Sequence, residues 1–587
     1  MLVAMQILPS AAAAAQLIQD DWTVACAGFV GAGHAEAVTR ALEARFVATE
    51  SPRGLTLIYG AGQGDRASRG VNHFGHAGLV RRIIGGHWIS APRLGALVNA
   101  DAVEAWNLPQ GVISQWFRAV AGGKPGLMSA VGLHTFVDPR VDGGRLTPST
   151  AASALEPRVQ LIQINGQEQL FYPSLPIDCA LIRASSADTR GNLSCENEPF
   201  HQDLLAIAQA AHNSGGIVIA QVQRIVPAGT LDPNAVRVPG IVVDFVLVTD
   251  DPDDHWMTFA EPYNPAYTLP ACKKPVLAPA KVATLAGGAS AAGPAAASMG
   301  GATSGAAGSA SAATAASSVA HPAFSGHDAR TLVQRRALLE LLRVQRELAA
   351  QVPPRRPVVN LGVGMPAGLG ALSAAEGASE YTLTVEAGPI GGTPADLLSF
   401  GASAYPEAII DQAAMFDFYD GGGLDIAFLG LAEFDPLGNV NVSRFGHGAH
   451  TRVAGLGGFV NISQNAKRVV FMGTLRAGGL IAQGRDGRLV IEHEGARAKL
   501  LPAVGHLSFS GPYVGSLGRP VRYITERAVF DLIDGRLTLV EIAPGIDLDR
   551  DVLAQCGAPV AVAADLRTME AAVFAAGPLL RALAAPA

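Results

Sequence analysis

The stretch LTVEAGPIGG, residues 383–392, places a single glutamate, Glu386, between strand-forming residues and a turn with three glycines and a proline in six positions. Strand alternation from Leu383 puts Leu383 and Val385 on one face and Thr384 and Glu386 on the other, and Gly388-Pro389 then ends the strand. Glu386 therefore lies at a carboxyl end, the edge where open α/β sheets bind ligands. A carboxylate there can take part in catalysis. Position alone leaves the alternatives of a surface glutamate or a salt-bridge partner open.

Glycine loops supply the other half of such chemistry, because backbone without Cβ approaches a ligand closely and N–H groups at a helix start point at negative charge. Gly28-Phe29-Val30-Gly31-Ala32-Gly33 and Gly60-Ala61-Gly62-Gln63-Gly64 have the outline of dinucleotide loops. Neither fits the full fingerprint, since DRASRGVNHFG after Gly64 is too polar and glycine-broken for the required helix. Gly362-Val363-Gly364-Met365-Pro366 is the stronger candidate for holding a ligand. His73, His76 and His87 lack the partners of a metal site, and no metal is expected. Arg81 and Arg82 could meet a phosphate or lie on a solvated helix face. The five cysteines, Cys26, Cys179, Cys195, Cys272 and Cys556, form no CxxC pair and read as reduced, mostly core residues.

These residues need a scaffold, and 587 of them exceed what one core usually holds, roughly 250 to 300. With 49% hydrophobic and 16% charged residues and a net charge of −7, neither a disordered acidic chain nor a nucleic-acid binder is indicated. The first cation is Arg40, so the start lacks the basic region of a secretory signal, and no apolar run suffices for a membrane span; a cytoplasmic protein is expected. Residues 281–325 collapse to Ala, Gly, Ser and Thr and read as a flexible linker spanning roughly 35–40 Å. On either side, residues 1–280 and 326–587, short β-branched runs such as TVACAGFV, LTLIYGAG, RRPVVNLGVGMP and KRVVFMGTL alternate with helical patterns, which implies open α/β domains with mainly parallel sheets. The halves also resemble each other. DCALIRASSADTRGN from Asp178 and DIAFLGLAEFDPLGN from Asp425 share the initial Asp, an Ala two residues on, an Asp ten on and a Gly-Asn pair at equal offsets, the signature of a duplicated domain.

A wider set of segments, RGVNHFGHAGLVRRIIGGHW, NLPQGVISQWFRAVAGGKPG, GLHTFVDPR, HWMTFAEPYNPAY, NLGVGMP, VEAGPIGG, GNVNVSRFG and GLGGFVNISQNAKRVVFMGT, resembles the family I CoA-transferases, in particular the single-chain propionate or acetate CoA-transferase branch. The resemblance covers nearly the whole chain outside the linker, which is unusually long for the family. It implies two tandem α/β domains of related, NagB/RpiA-like fold, with the second domain's glutamate facing a glycine loop of the first.

What the resemblance implies for function is a ping-pong transfer of CoA from a short-chain acyl-CoA to a free carboxylate, through a glutamyl-CoA thioester on Glu386. Gly28, Phe29 and Val30 would present backbone N–H groups as an oxyanion hole. Gly362, Val363, Gly364, Met365, Pro366, Asn441, Gly457 and Gly458 would hold parts of CoA. The glycines after Glu386 then read as room for the thioester. Coenzyme A is substrate and covalent intermediate, no other cofactor is implied, and a homo-oligomer, usually a tetramer, is expected. An acyl-CoA hydrolase of the same fold and a noncatalytic ligand-sensing protein are the alternatives.

Overall fold

The computed structural model describes residues 5–152, 159–249, 251–274, 328–446 and 451–584. The expected linker, 281–325, lies outside the described residues.

Each half of the chain builds one sheet. In the first, β1 (Gln6–Ile7), β2 (Thr23–Cys26), β3 (Leu55–Tyr59), β4 (Val80–Gly85), β5 (Glu104–Asn107), β6 (Cys179–Asp188), β7 (Ile217–Val226) and β8 (Phe245–Val248) lie in the order β1-β8-β7-β6-β2-β3-β4-β5. Every neighbouring pair on this path is parallel. All ten residues of central β6 are buried, as a parallel strand covered on both faces must be. Arg81 and Arg82 sit on strand β4 rather than on a helix: Arg81 faces solvent and Asp21, while Arg82 is buried and donates to Glu104.

The second sheet comprises β9 (Val358–Leu361), β10 (Thr382–Thr384), β11 (Pro389–Ile390), β12 (Ala408–Ile409), β13 (Ile426–Gly430), β14 (Val469–Met472), β15 (Val521–Ile524), β16 (Ala528–Ile533), β17 (Arg536–Ile542) and β18 (Ala561–Thr568). Their order is β12-β11-β10-β9-β13-β14-β15-β16-β17-β18. Strands β10, β9, β13, β14 and β15 form a parallel centre. The pairs β12-β11-β10 and β15-β16-β17 are antiparallel, because links such as Thr525–Arg527 are too short for a crossover, while the edge strand β18 pairs parallel with β17. Five of the nine neighbouring pairs are parallel, so this sheet too is open and mainly parallel, as expected.

Six helices matter for the site: α1 (Glu36–Thr49), α2 (Gln110–Ala121), α3 (Leu204–Asn213), α4 (Ala329–Ala349), α5 (Gln412–Asp420) and α6 (Phe459–Asn465). The side chain of Asp328 caps α4 by accepting the Thr331 N–H, and Leu332, Leu338 and Leu341 bury its inner face. The C-terminal segment packs on α4 through Val573, Phe574 and Leu579, while Arg335 donates to the carbonyls of Ala572 and Gly577. One hydrophobic core runs through both halves, joining Val24, Leu57 and Phe117 with Phe416, Val460 and Phe471.

The duplication is visible bond by bond. Asp178 accepts the N–H of Thr23 at the start of β2, and Asp425 that of Val358 at the start of β9. Asp188 and Asp435 each close a loop by accepting two backbone N–H groups and the amide of Asn192 or Asn439. The Asn192 and Asn439 carbonyls then accept from Gly240 and Gly511.

Candidate active site

Strand β10 delivers Glu386 to the carboxyl edge of the second sheet, with one modification. Gly388-Pro389 reverses the chain in a tight turn closed by Gly388 N–H to Val385 O, and β11 runs back antiparallel. A Cβ on Gly388 would stand 1.9 Å from the Ile410 carbonyl, one on Gly391 would meet Glu407, and one on Gly392 would meet Ala404. These glycines thus admit neighbouring chain and leave no room for a thioester. The space beside the carboxylate comes from Gly458, the N-cap of α6, whose hypothetical Cβ would lie 2.7 Å from Glu386 Oε2. Burial pushes the Glu386 carboxyl up to about 7, and the Gly458 N–H, which donates to it, acts the other way.

Glu386 lines a small pocket with Asn360, Leu361, Leu383, Thr384, Val385, Pro394 and Phe400. Under it lies a polar chain: Tyr419 OH donates to Thr384 Oγ1 at 2.9 Å, and Thr384 Oγ1 donates to Val359 O. Asn360 Nδ2 faces Thr384 O and Tyr419 OH at 3.4 Å each, so its Oδ1 is turned away and has no hydrogen-bond partner among the described residues. The phenol of Tyr419 is held neutral by burial and by the nearby Glu386 charge. Asn360, Thr384 and Tyr419 escape a reading by motif because their roles depend on register between β9 and β10 and on a helix 30 residues downstream.

The loop Gly362–Pro366 follows directly from Asn360 and Leu361. Val363 is 62% exposed, Gly364 has open space where a Cβ would be, and α4 supports the loop through Arg330 to Gly364 O and Gln334 to Met365 O. It is a surface that a ligand can reach. Asn441 is different: it is fully buried, its Nδ2 donates to Glu433 and to Arg444 O, and its Oδ1 accepts from Ser443 and Arg444. Its amide holds a turn in place and has no capacity left for CoA in this conformation.

The turn Gly28-Phe29-Val30 lies beyond Phe400, whose ring packs 5.8 Å from that of Phe29. Leu398 O approaches Gly31 so closely that a Cβ there would be 2.2 Å away, which docks segment 396–402 of the second half on this turn of the first. Phe29 N–H is bonded to Ala32 O and Val30 N–H to Gly62 O. Two of the three expected oxyanion donors are therefore already occupied, and Gly28, at φ +147°, is the remaining one. Gln63 supports it from below, donating to Cys26 O and meeting His34. The loop Gly60 to Gly64 thus buttresses the turn.

Segment 454–458, which carries Gly457 and Gly458, is sewn into the first half. Trp88 N–H bonds Ala454 O, Leu456 N–H bonds Asn107 Oδ1, Gly457 N–H bonds Gly86 O, and Gln110 N–H bonds Gly457 O. The histidines have other work: His73 bridges Glu36 and Glu43, His76 bonds Glu43, and burial lowers His87 to about 4. The cysteines are all free, with Cys26, Cys179 and Cys195 buried. No helix among the described residues is long and apolar enough to cross a membrane.

A pocket with one perturbed carboxylate, a backbone N–H on it and an exposed glycine loop beside it suits acyl transfer. Comparison with known proteins agrees. The sequence model for coenzyme A transferase matches residues 8–249. The caffeate CoA-transferase of Acetobacterium woodii is 39% identical over 571 residues, covering 96% of this chain and 97% of that protein. The acetate CoA-transferase YdiF of Escherichia coli K12 is 37% identical over 572 residues, 96% of this chain and 94% of that one. Among solved structures, the acyl-CoA transferase YdiF apoenzyme from E. coli O157:H7 superposes with a TM-score of 0.81 at 35% identity over 99% of this chain and 98% of that one. The same protein's thioester complex with CoA gives 0.80 at 34% identity, over 98% and 97%. The chain belongs to the coenzyme A transferase family, and it is a CoA-transferase.

Proposed function

We propose that this enzyme moves CoA from a short-chain acyl-CoA to a free carboxylate by a ping-pong reaction with Glu386 as the covalent carrier. The observation that carries this reading is the Glu386 carboxylate in the pocket, in contact with Gly458 N–H. In the first step a Glu386 oxygen attacks the thioester carbonyl, the C–S bond breaks, and CoA leaves as thiolate, giving a mixed anhydride. The thiolate then attacks Glu386 Cδ and expels the donor as its carboxylate, leaving glutamyl-CoA. The acceptor carboxylate reverses both steps. Charge balances throughout, so the scheme needs no net proton, ATP or redox cofactor, and CoA is the group that Glu386 carries.

In this scheme Gly458 N–H stabilises the negative oxygen that develops on the glutamyl carbon, and Gly28 N–H serves the acyl carbonyl. The exposed loop Gly362–Pro366 is where CoA would lie. The names of the relatives support acetate-sized and larger carboxylates as partners of those proteins, and we extend the acetate class to this one. A cytoplasmic homo-oligomer is part of the same reading.

Incubation with acetyl-CoA alone followed by intact mass measurement should show one CoA adduct, mapping to the peptide containing Glu386. Active protein without that adduct would sink the assignment. Because only the ionised carboxylate attacks and its pKa is raised to about 7, kcat/KM should climb as pH rises through that region. CoA release in the absence of an acceptor carboxylate would indicate hydrolysis instead.

A further inference from the structure

A second buried carboxyl group lies across the seam between the halves. Asp203, the N-cap residue of α3, is 6% exposed, and its Oδ2 accepts from Ser114 Oγ at 3.0 Å and from Gln412 Nε2 at 2.8 Å. Its Oδ1 is buried with no hydrogen-bond partner among the described residues. Gln412 also donates to Ser114 at 2.6 Å and accepts from Gln110 Nε2 at 3.2 Å. Gln110 and Gln412 are the first residues of α2 and α5, and they act alike: Gln110 N–H bonds Gly457 O, and Gln412 N–H bonds Gln202 O. A local two-fold relation thus runs through the Gln110–Gln412 pair, with Asp203 on one side and Gly458 with Glu386 on the other.

We propose that Asp203 is a positioning residue whose neutral form locks Gln412 and Gln110, and through them the Gly457–Gly458 donor, against Glu386. The proposal rests on Glu386 being the reacting carboxylate. An ionised Asp203 would place two donors on one oxygen and none on the other, in a site closed to solvent, so the network has to rearrange or admit water when the proton leaves. Burial raises the Asp203 carboxyl to about 7; Ser114 and Gln412 lower it, Asp411 raises it, and Arg118 lowers it. Of these charges, Arg118 is engaged by Asp417, and Asp411 faces His201 at 4.0 Å.

The test compares wild type, Asp203→Asn and Ser114→Ala by kcat with acetyl-CoA and propionate from pH 6 to 9, together with the rate of adduct formation on Glu386. Asn mimics the neutral acid. In wild type, kcat should fall about tenfold on the alkaline side as Asp203 ionises, with KM little changed. In Asp203→Asn that decline should vanish. Ser114→Ala removes a donor from the ionised form, so the decline should move to higher pH, and this variant decides the matter should the Asn variant not fold. A wild-type profile with no alkaline decline, or the same decline in all three proteins, overturns the proposal. If the Glu386 adduct forms normally in that case, the covalent reading survives it; absence of the adduct in wild type removes both.

Discussion

The two halves place a carboxylate and a glycine in contact at the same point of the fold, but with the roles exchanged. Val24 pairs with Leu57 and Cys179, and Val359 with Leu383 and Ile426, so β2 corresponds to β9, β3 to β10 and β6 to β13. Counting from these pairs, Gly60 in the first half occupies the position of Glu386 in the second. The partners correspond too, because Asp203 caps the helix before β7 and Gly458 caps the helix before β14. In the second half the strand end supplies the carboxylate and the helix cap supplies glycine. In the first half the strand end is glycine, and the cap supplies the carboxylate, 3.4 Å from where a Gly60 Cβ would be. The fold thus offers two equivalent cradles. The carboxylate carried on the strand end lines a pocket; the one on the helix cap is enclosed by Ser114 and Gln412.

The largest test of this difference is removal of the strand-end carboxylate. Glu386→Ala should lower kcat by about a thousandfold or more and abolish the CoA adduct, since a covalent carrier has no substitute. Its Tm should stay level or rise, because a buried carboxylate held near pKa 7 does not stabilise the fold. Next comes the glycine opposite it. Gly458→Ala drives a methyl to 2.7 Å from Oε2 and must displace either the carboxylate or its N–H donor. By comparison with loss of one oxyanion donor, kcat should drop about a hundredfold with near-wild-type melting. Activity within a few fold of wild type would show that Gly458 N–H is dispensable.

A smaller asymmetry concerns the repeated Asp at the start of the shared motif. Asp178 holds Thr23 N–H, whereas Asp425 holds Val358 N–H and is also bound by Arg355 at 2.6 Å and Lys467 at 2.9 Å. Burial alone would raise the Asp425 carboxyl, but Arg355, the Val358 N–H and Lys467 outweigh it and hold it down to about 2. A depressed folded-state pKa contributes stability above the ordinary carboxylate range, lost as pH falls from about 4 toward 2. With its cationic partners half exposed, Asp425→Asn should cost about 1–2 kcal/mol at pH 7. Asp178→Asn should cost less, and denaturant titrations of both would show whether the halves are held equally.

Much of this was legible in the sequence for identifiable reasons. Strand, glycine turn and helix follow local rules, and the Asp–Ala–Asp–Gly–Asn repeat exposed the duplication because each of its polar residues closes a hydrogen bond that the fold needs twice. Glu386 stood out through the resemblance of the segments around it, because its strand-end position alone also suits a surface glutamate or a salt-bridge partner. The partners of Glu386 were harder. Gly458 stands 72 residues downstream and Asn360 on a neighbouring strand, and no local rule distinguishes a glycine that touches a carboxylate from one that admits the Ile410 carbonyl. Asn441 misled for a related reason: a motif can be recurrent because it folds a turn. Asp203 gave no local signal at all, since its surroundings come from three segments, around 114, 203 and 412.

The mildest perturbation separates the two cradles most cleanly. Gly60→Ala would bring a methyl to 3.4 Å from Asp203 Oδ2 and 3.5 Å from both Gln412 Nε2 and Ser114 Oγ, distances at which van der Waals contact is ordinary and no atom has to move. Gly60 also has no left-handed backbone to protect, as it is absent from the residues with positive φ. The same change that is severe at Gly458 should therefore alter kcat by less than about threefold here. An effect on kcat as large as that of Gly458→Ala, measured on folded protein, would mean that both cradles take part in the chemistry and that the exchange of carboxylate and glycine does not divide their roles.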